Sequence, residues 1–322
     1  MRISVSVVAA ARLHLGFLDM NGALGRKFGG LGLSIDAPAT RLTLRPAEAM
    51  EATGPDAERA RALLENAVAA LAPGKRYRLT MEQAIPPHSG LGSGTQLALA
   101  ITAALRRIED LPQHVEADAA LLQRGARSGL GAGLFTRGGL VVDGGRGADT
   151  TTPPVISRLA FPETWRILLV SDPAAIGLHG PEERKAFAEL PPFSEADAGK
   201  LCRLVLMQAL PAAAEEDFAA FGAAVTAIQS IVGDYFAPAQ GGRRFTSAAV
   251  ENLLARLAEA GATGVGQTSW GPTGFAFAPN EAEARRLEAR VRGAAEASGL
   301  SLAVVAGADR GASIDAVYAE IA

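Results

Sequence analysis

From residue 3 to 11 apolar β-branched residues alternate with small or polar ones, and the alternation continues through residues 12–19. Arg12 and His14 fall on one side of that pattern and Leu13 and Leu15 on the other, as in a strand with a period of two. A hairpin-like turn follows at Asn21-Gly22, and Asp19 is placed to structure it. Residues 29–36 and 40–44 read as two further strands, broken at Pro38. Apolar positions at helical spacing over Ala57–Leu71 predict a helix ended by Pro73-Gly74. Residues 77–81 predict a strand. Leu97, Ile101, Ala104, Leu105 and Ile108 then predict a helix over 95–108. A short helix over 117–125 and a strand over 139–143 complete this half.

Residues 146–154 are rich in Gly, Thr and Pro and mark a junction, which divides the chain into domains 1–155 and 156–322. Beyond it, 165–171 reads as a strand. Residues 179–192, with His179, Glu182, Glu183 and Arg184, read as a charged loop or short helix, either a lid or a solvated segment. Helical spacing recurs over 198–214, 218–232, 247–260 and 281–297. Strands are predicted at 265–268 and 273–278, around Ser269-Trp270-Gly271-Pro272, and a final one at 300–306. The order of elements indicates an α+β fold. No internal repeat is visible.

Composition narrows the picture. The chain has 322 residues and an apolar content of 48%, enough for a substantial core. A net charge of −3, with no basic stripe or aromatic platform, gives no reason to expect nucleic acid. Cys202 is the single cysteine, so neither an intrachain disulfide nor a cysteine-based zinc cluster can form; its helical context places it in the core. No apolar run is long enough to span a membrane. The N-terminal residues read as a strand and not as a signal peptide, so the cytoplasm is the expected location.

The candidate chemistry centres on Pro86-Pro87-His88-Ser89-Gly90-Leu91-Gly92-Ser93-Gly94-Thr95-Gln96, between a predicted strand and a predicted helix. Glycine lets a backbone approach a ligand closely, and a helix start offers free N–H groups and the positive end of the dipole to phosphate. Ser93 and Thr95 can add hydroxyl contacts, and Ser93 is the candidate ligand of a phosphate-bound Mg²⁺. No Gly-Lys-Ser/Thr follows, so this is not a Walker loop, and Leu97 breaks a dinucleotide fingerprint. The plainer reading is a glycine-rich turn with a hydroxyl helix cap.

In order and spacing, Pro86 to Thr95 resembles the phosphate loop of the GHMP superfamily. Two more of its motifs have counterparts: Arg12 to Asp19 as the strand near the substrate, and Gly264 to Gly274 as the glycine-rich turn near the phosphates. The resemblance implies a two-domain α+β fold, with a ribosomal protein S5 domain 2-like first half and a ferredoxin-like second half. Many kinases of the superfamily carry Ser-Gly-x-x-Asp, whose Asp is the base in phosphoryl transfer. The corresponding stretch here is Ser128-Gly129-Leu130-Gly131-Ala132, with glycine and alanine in place of a carboxylate.

The same motifs, with Gly29 to Gly32, Gly138 to Gly145 and Gln96, resemble the β-ribofuranosylaminobenzene 5′-phosphate synthase branch, which serves methanopterin biosynthesis. That branch condenses phosphoribosyl pyrophosphate with 4-aminobenzoate or 4-hydroxybenzoate, releases pyrophosphate and CO₂, and needs no base for a substrate hydroxyl. The resemblance implies a Mg²⁺-dependent homodimer, with Ser89, Gly90, Leu91, Gly92, Ser93, Gly94, Thr95 and Gln96 around the pyrophosphate. Ser128, Gly129 and Gly131 form the second glycine segment, and Ser269, Gly271, Pro272 and Thr273 the third motif. Arg12 is the candidate clamp for a carboxylate or a 5′-phosphate, His14 for a ring substituent or a phosphate, and Trp270 for stacking on the aromatic substrate or filling the domain interface. An ATP-dependent small-molecule kinase and a non-catalytic binding protein are the alternatives.

Overall fold

The alternation at the start of the chain becomes one strand of 18 residues, β1 (Arg2–Asp19), in a computed structural model that describes residues 2–177 and 180–319. It is followed by β2 (Phe28–Pro46), β3 (Glu51–Thr53), α1 (Ala57–Leu71), β4 (Tyr77–Gln83), α2 (Ser93–Ile108), α3 (Val115–Leu121), α4 (Leu130–Arg137), β5 (Leu140–Asp143) and β6 (Val155–Leu159). Next come β7 (Arg166–Ser171), α5 (Gly180–Glu189), α6 (Glu195–Leu204), a π-helical turn (Val205–Ala209), α7 (Leu210–Ala214), α8 (Phe218–Phe236) and α9 (Ala248–Glu259). The chain closes with β8 (Thr263–Gln267), β9 (Thr273–Ala278), α10 (Glu281–Ala297), β10 (Ser301–Ala306) and β11 (Ser313–Ala319).

The first sheet has the order β11-β1-β2-β4-β3, with β5 pairing with another part of β2 and β6 with β5. The second has the order β10-β7-β9-β8 and is antiparallel throughout. One apolar cluster fills the space between the first sheet and α1 and α2, through Val5, Val7, Leu64 and Leu97. A second joins the later part of β1 to α6, α8 and one face of the second sheet, through Leu13, Leu15, Leu201, Phe221, Ile167 and Phe277. The other face of that sheet meets α9 and α10 through Leu168, Val170, Leu254 and Leu287. Successive residues of β7 therefore enter different cores, which is why its run reads as continuously apolar.

Several expectations are corrected. Pro38 does not break the strand: β2 continues through it, because β1 and β2 shift register between Ala10 and Ala11 and residues 36–38 bulge out of the ladder. A proline in a bulge forfeits no ladder hydrogen bond. The last strand is β11, not β10, and it pairs with β1. β6, which begins at Val155, and β11 thus lie in the first sheet. The charged segment is helical from Gly180, while His179 lies outside the described residues. Cys202 is exposed, since Leu201 and Val205 are the positions that face the core.

The chain crosses between the sheets at residues 160–165 and returns at 307–312. Asp309 ties the crossings together: its carboxylate accepts from the Phe161 N–H at 2.8 Å, and its carbonyl accepts from Arg158. Ala308 is stitched to the first sheet by its N–H to the Ser34 carbonyl (2.9 Å) and by the Gly139 N–H to its own carbonyl (2.7 Å).

Candidate active site

The glycine stretch links β4 to α2. Gly92, in the left-handed region at φ 82°, is the cap from which α2 begins. The Thr95 and Gln96 N–H groups both turn back to the Gly92 carbonyl at 3.1 Å. Ser93 and Gly94 precede any intrahelical acceptor, so their N–H groups belong to the open end of the helix.

All three sequence motifs meet at one atom of this loop. The Gly90 carbonyl accepts from Arg12 Nη1 at 2.8 Å and from Thr268 Oγ1 at 3.0 Å. Thr268 Oγ1 also accepts from the His14 N–H at 2.9 Å, and the Arg12 N–H donates to the Leu91 carbonyl at 3.0 Å. Gly90 and Gly271 pass so closely that a Cβ on Gly271 would lie 2.3 Å from the Ser89 carbonyl. Only glycine permits this backbone contact.

The second glycine segment is organised by Asp143, which is fully buried. Its carboxylate accepts from Ser128 Oγ (2.7 Å), the Gly129 N–H (3.0 Å) and the Gly145 N–H (2.9 Å). Burial raises its carboxyl above the usual range, against the hydrogen bonds that favour the charged form. The segment then enters α4, whose first turn rests on that of α2. Gln96 Nε2 donates to the Gly131 carbonyl at 3.1 Å, and a Cβ on Gly131 would meet Thr95 Cγ2 at 2.6 Å.

Between these segments lies a cavity of about 160 Å³, lined by Arg12, His14, Phe17, Thr95, Gly125, Arg127, Ser128, Gly131 and Ser269. Among the described residues its charged wall residues are Arg12 and Arg127, and Arg127 also stacks over the Phe187 ring at 4.5 Å. His14 is almost fully buried, and burial, reinforced by Arg12 and Arg127, lowers its pKa to about 3. The imidazole is therefore neutral at any working pH. Its Nε2 is buried without a hydrogen-bond partner. Two cations, hydroxyls and a neutral imidazole make a site for an anion with an uncharged portion.

The structure thus gathers Arg12, His14, Thr95, Ser128, Gly131 and Ser269 at one cavity. Other predicted residues shape the site without lining it. Leu91 is buried in the core. Ser89 Oγ donates to the Pro86 carbonyl, and Thr273 is paired with Ser171. Pro272 offers its carbonyl to the Asp172 N–H. Trp270 is not in the cavity wall; it packs on Phe236 (4.5 Å) and Phe187 (5.2 Å) in an aromatic cluster. Sequence reasoning missed Thr268, Arg127 and Asp143 as site residues. Thr268 and Asp143 lay inside quoted motifs, and Arg127 adjoins Ser128.

Ser93 does not fit as a Mg²⁺ ligand. Arg59 Nη1 lies 3.5 Å from its hydroxyl, so a divalent cation there would face a guanidinium. Among the described residues no group of three or more His, Cys, Asp or Glu side chains is arranged to hold a metal, and no helix is long and apolar enough to cross a membrane.

Residues 58–139 match the family model described as GHMP kinases N terminal domain, and residues 209–297 match GHMP kinases C terminal. A β-ribofuranosylphenol 5′-phosphate synthase of Methanothermobacter thermautotrophicus is 30% identical over 294 residues, spanning 84% of this chain and 88% of the relative. One from Archaeoglobus fulgidus is 33% identical over 233 residues, 69% of this chain and 74% of the relative. Among solved structures, Lactococcus lactis galactokinase superposes with a TM-score of 0.69 at 14% identity, covering 96% of this chain and 95% of the galactokinase; at that identity the likeness concerns the fold.

Proposed function

This chain belongs to the GHMP superfamily, in the family of the β-ribofuranosylphenol 5′-phosphate synthases, and from that premise we propose that it joins phosphoribosyl pyrophosphate to a para-substituted benzoate with loss of diphosphate and CO₂. It is an enzyme of the transferase type, and we place it in methanopterin biosynthesis on the resemblance of its motifs. The relatives are named for a phenol product, which supports 4-hydroxybenzoate ahead of 4-aminobenzoate as the acceptor. We place the reaction in the cytoplasm.

The observation that carries the reading is the cavity at the glycine loop. Among the described residues its charged wall is cationic, and at the position of the Asp in Ser-Gly-x-x-Asp the chain has Ala132, next to Gly131, where an added Cβ would meet Thr95. A kinase that activates a hydroxyl profits from a carboxylate base there. Carbon–carbon bond formation with decarboxylation does not need one. The C1–O bond of the donor breaks and its electron pair leaves with the diphosphate. The ring carbon bearing the carboxylate bonds to C1. The bond to the carboxylate then breaks, its pair restores the aromatic ring, and CO₂ departs.

The chain's residues supply positioning and charge. N–H groups at the open end of α2 face the diphosphate as it gains charge. Arg12 and Arg127 meet the remaining anionic groups, the 5′-phosphate and the benzoate carboxylate. His14, neutral, borders the ring without adding charge. Mg²⁺ enters this proposal as a companion of the diphosphate substrate.

The test is a single incubation of purified protein with phosphoribosyl pyrophosphate, Mg²⁺ and carboxyl-labelled 4-hydroxybenzoate or 4-aminobenzoate. Labelled CO₂ that depends on both substrates is the expected result. Folded protein that releases none, yet transfers phosphate from ATP to a small alcohol, would overturn it in favour of a kinase.

A further inference from the structure

Outside the cavity, two arginines flank the start of α2. Arg59, on α1, is paired with Asp56, and its Nη1 approaches Ser93 Oγ. Arg124, in the connection between α3 and α4, lies against the opening turn from another side: a Cβ on Gly94 would be 3.3 Å from its Nη1. The Nε atoms of both are buried without an acceptor. Arg124 has no side-chain hydrogen bond or ion pair among the described residues. The two guanidinium groups also oppose each other, since Arg59, after burial, lowers the pKa of Arg124.

Such an arrangement is unfavourable by itself. A half-buried cation without a counter-charge is costly, and here it adjoins both a second cation and the positive end of a helix. All these terms change sign when an anion arrives. Gly94, with no side chain, lets the guanidinium lie directly against the opening turn. Arginine suits the task because its planar fork can bind two phosphate oxygens at once.

We propose that Arg59 and Arg124, with the open turn at Ser93 and Gly94, form a binding site for the outer phosphoryl group of a diphosphate. The inner phosphoryl group lies nearer the cavity, where Thr95 and the second glycine segment meet. This deepens the synthase reading and rests on it only for the identity of the donor. Either a sugar diphosphate or a nucleoside triphosphate could supply the same chemical group.

The experiment is calorimetry with inorganic diphosphate on the parent protein, Arg124→Leu, Arg124→Lys and Arg59→Gln, with thermal melts of each without ligand. Arg124→Leu should melt at the parental temperature or above it, bind diphosphate about 10- to 100-fold more weakly, and lose the stabilisation that diphosphate gives the parent. Arg124→Lys should recover part of the affinity, and Arg59→Gln should also weaken binding. An Arg124→Leu protein that melts lower without ligand and binds diphosphate as well as the parent would overturn the proposal and make Arg124 a structural residue. Parallel titrations with phosphoribosyl pyrophosphate and ATP separate the donors. Arg124-dependent binding of ATP, with no binding of phosphoribosyl pyrophosphate, would keep this site and overturn the synthase reading.

Discussion

Thr268→Val is the sharpest perturbation of the site, because it changes hydrogen bonding and almost nothing else. Thr268 is fully buried, and valine has nearly its shape. In the parent its hydroxyl accepts from the His14 N–H and donates to the Gly90 carbonyl. The two losses are unequal. Gly90 retains the hydrogen bond from Arg12, whereas the His14 N–H loses the partner it has. An unsatisfied buried donor costs about 1–3 kcal/mol, so the melting temperature should fall by several degrees. The loop loses one of its two anchors at Gly90, and an anchor worth about 1 kcal/mol corresponds to a five- to tenfold loss in kcat/KM. Thr268→Ser keeps the hydroxyl and should stay close to the parent in turnover. The assays are thermal melts and steady-state CO₂ release. A valine variant within about 0.5 kcal/mol of the parent, with undiminished turnover, would refute the role given to this bridge.

Other changes probe the two walls. Gly131→Ala places a methyl group 2.6 Å from Thr95 Cγ2; overpacking of this kind costs about 1–3 kcal/mol, and turnover should fall more than stability because Thr95 lines the cavity. A melt and a rate within error of the parent would show that the contact relaxes freely. His14 tests a pH dependence. Its folded pKa of about 3 lies below the ordinary 6.5, so its contribution is intact above pH 6.5 and declines as pH falls towards 3, while the unfolded chain takes up the proton. Near pH 5 the loss is about 2 kcal/mol, and His14→Gln should lack that increment when urea unfolding is compared at about pH 7.5 and 5. An identical pH dependence in the two proteins would mean that the imidazole is not held neutral.

The sequence was most informative where local rules act alone. Helices such as Ala57–Leu71 and Glu281–Ala297 occur as their spacing and boundaries predict, and the motif glycines Gly90, Gly129 and Gly271 sit at backbone contacts that exclude a side chain. It was least informative where distant segments decide. Pro38 looks like a breaker until β1 supplies the bulge that accommodates it. The glycine-rich run at 130–137 becomes a helix through its packing on α2 and its Asp143 anchor. Residues 313–319 form a strand because β1 offers them an edge. Arg12 and His14 could be singled out by motif, but the meeting of Thr268 with both Gly90 and His14 spans 178 and 254 positions of chain. No local pattern encodes that encounter. Arg124 was equally invisible, because its interest lies in the partner it lacks among the described residues.

The paired crossings between the sheets have a mechanical consequence. Because Asp309 fastens the outgoing strand of chain to the returning one, the two halves do not hang on independent tethers. They share a seam beside the apolar core that joins β1 to the second sheet, and β11 is locked into the first sheet beyond it. With the crossings pinned together and the apolar core continuous between the sheets, the third motif and the glycine loop are held in one alignment. A protease nick in either crossing should leave the halves associated, whereas weakening the Asp309 staple should loosen their alignment without cutting any chain.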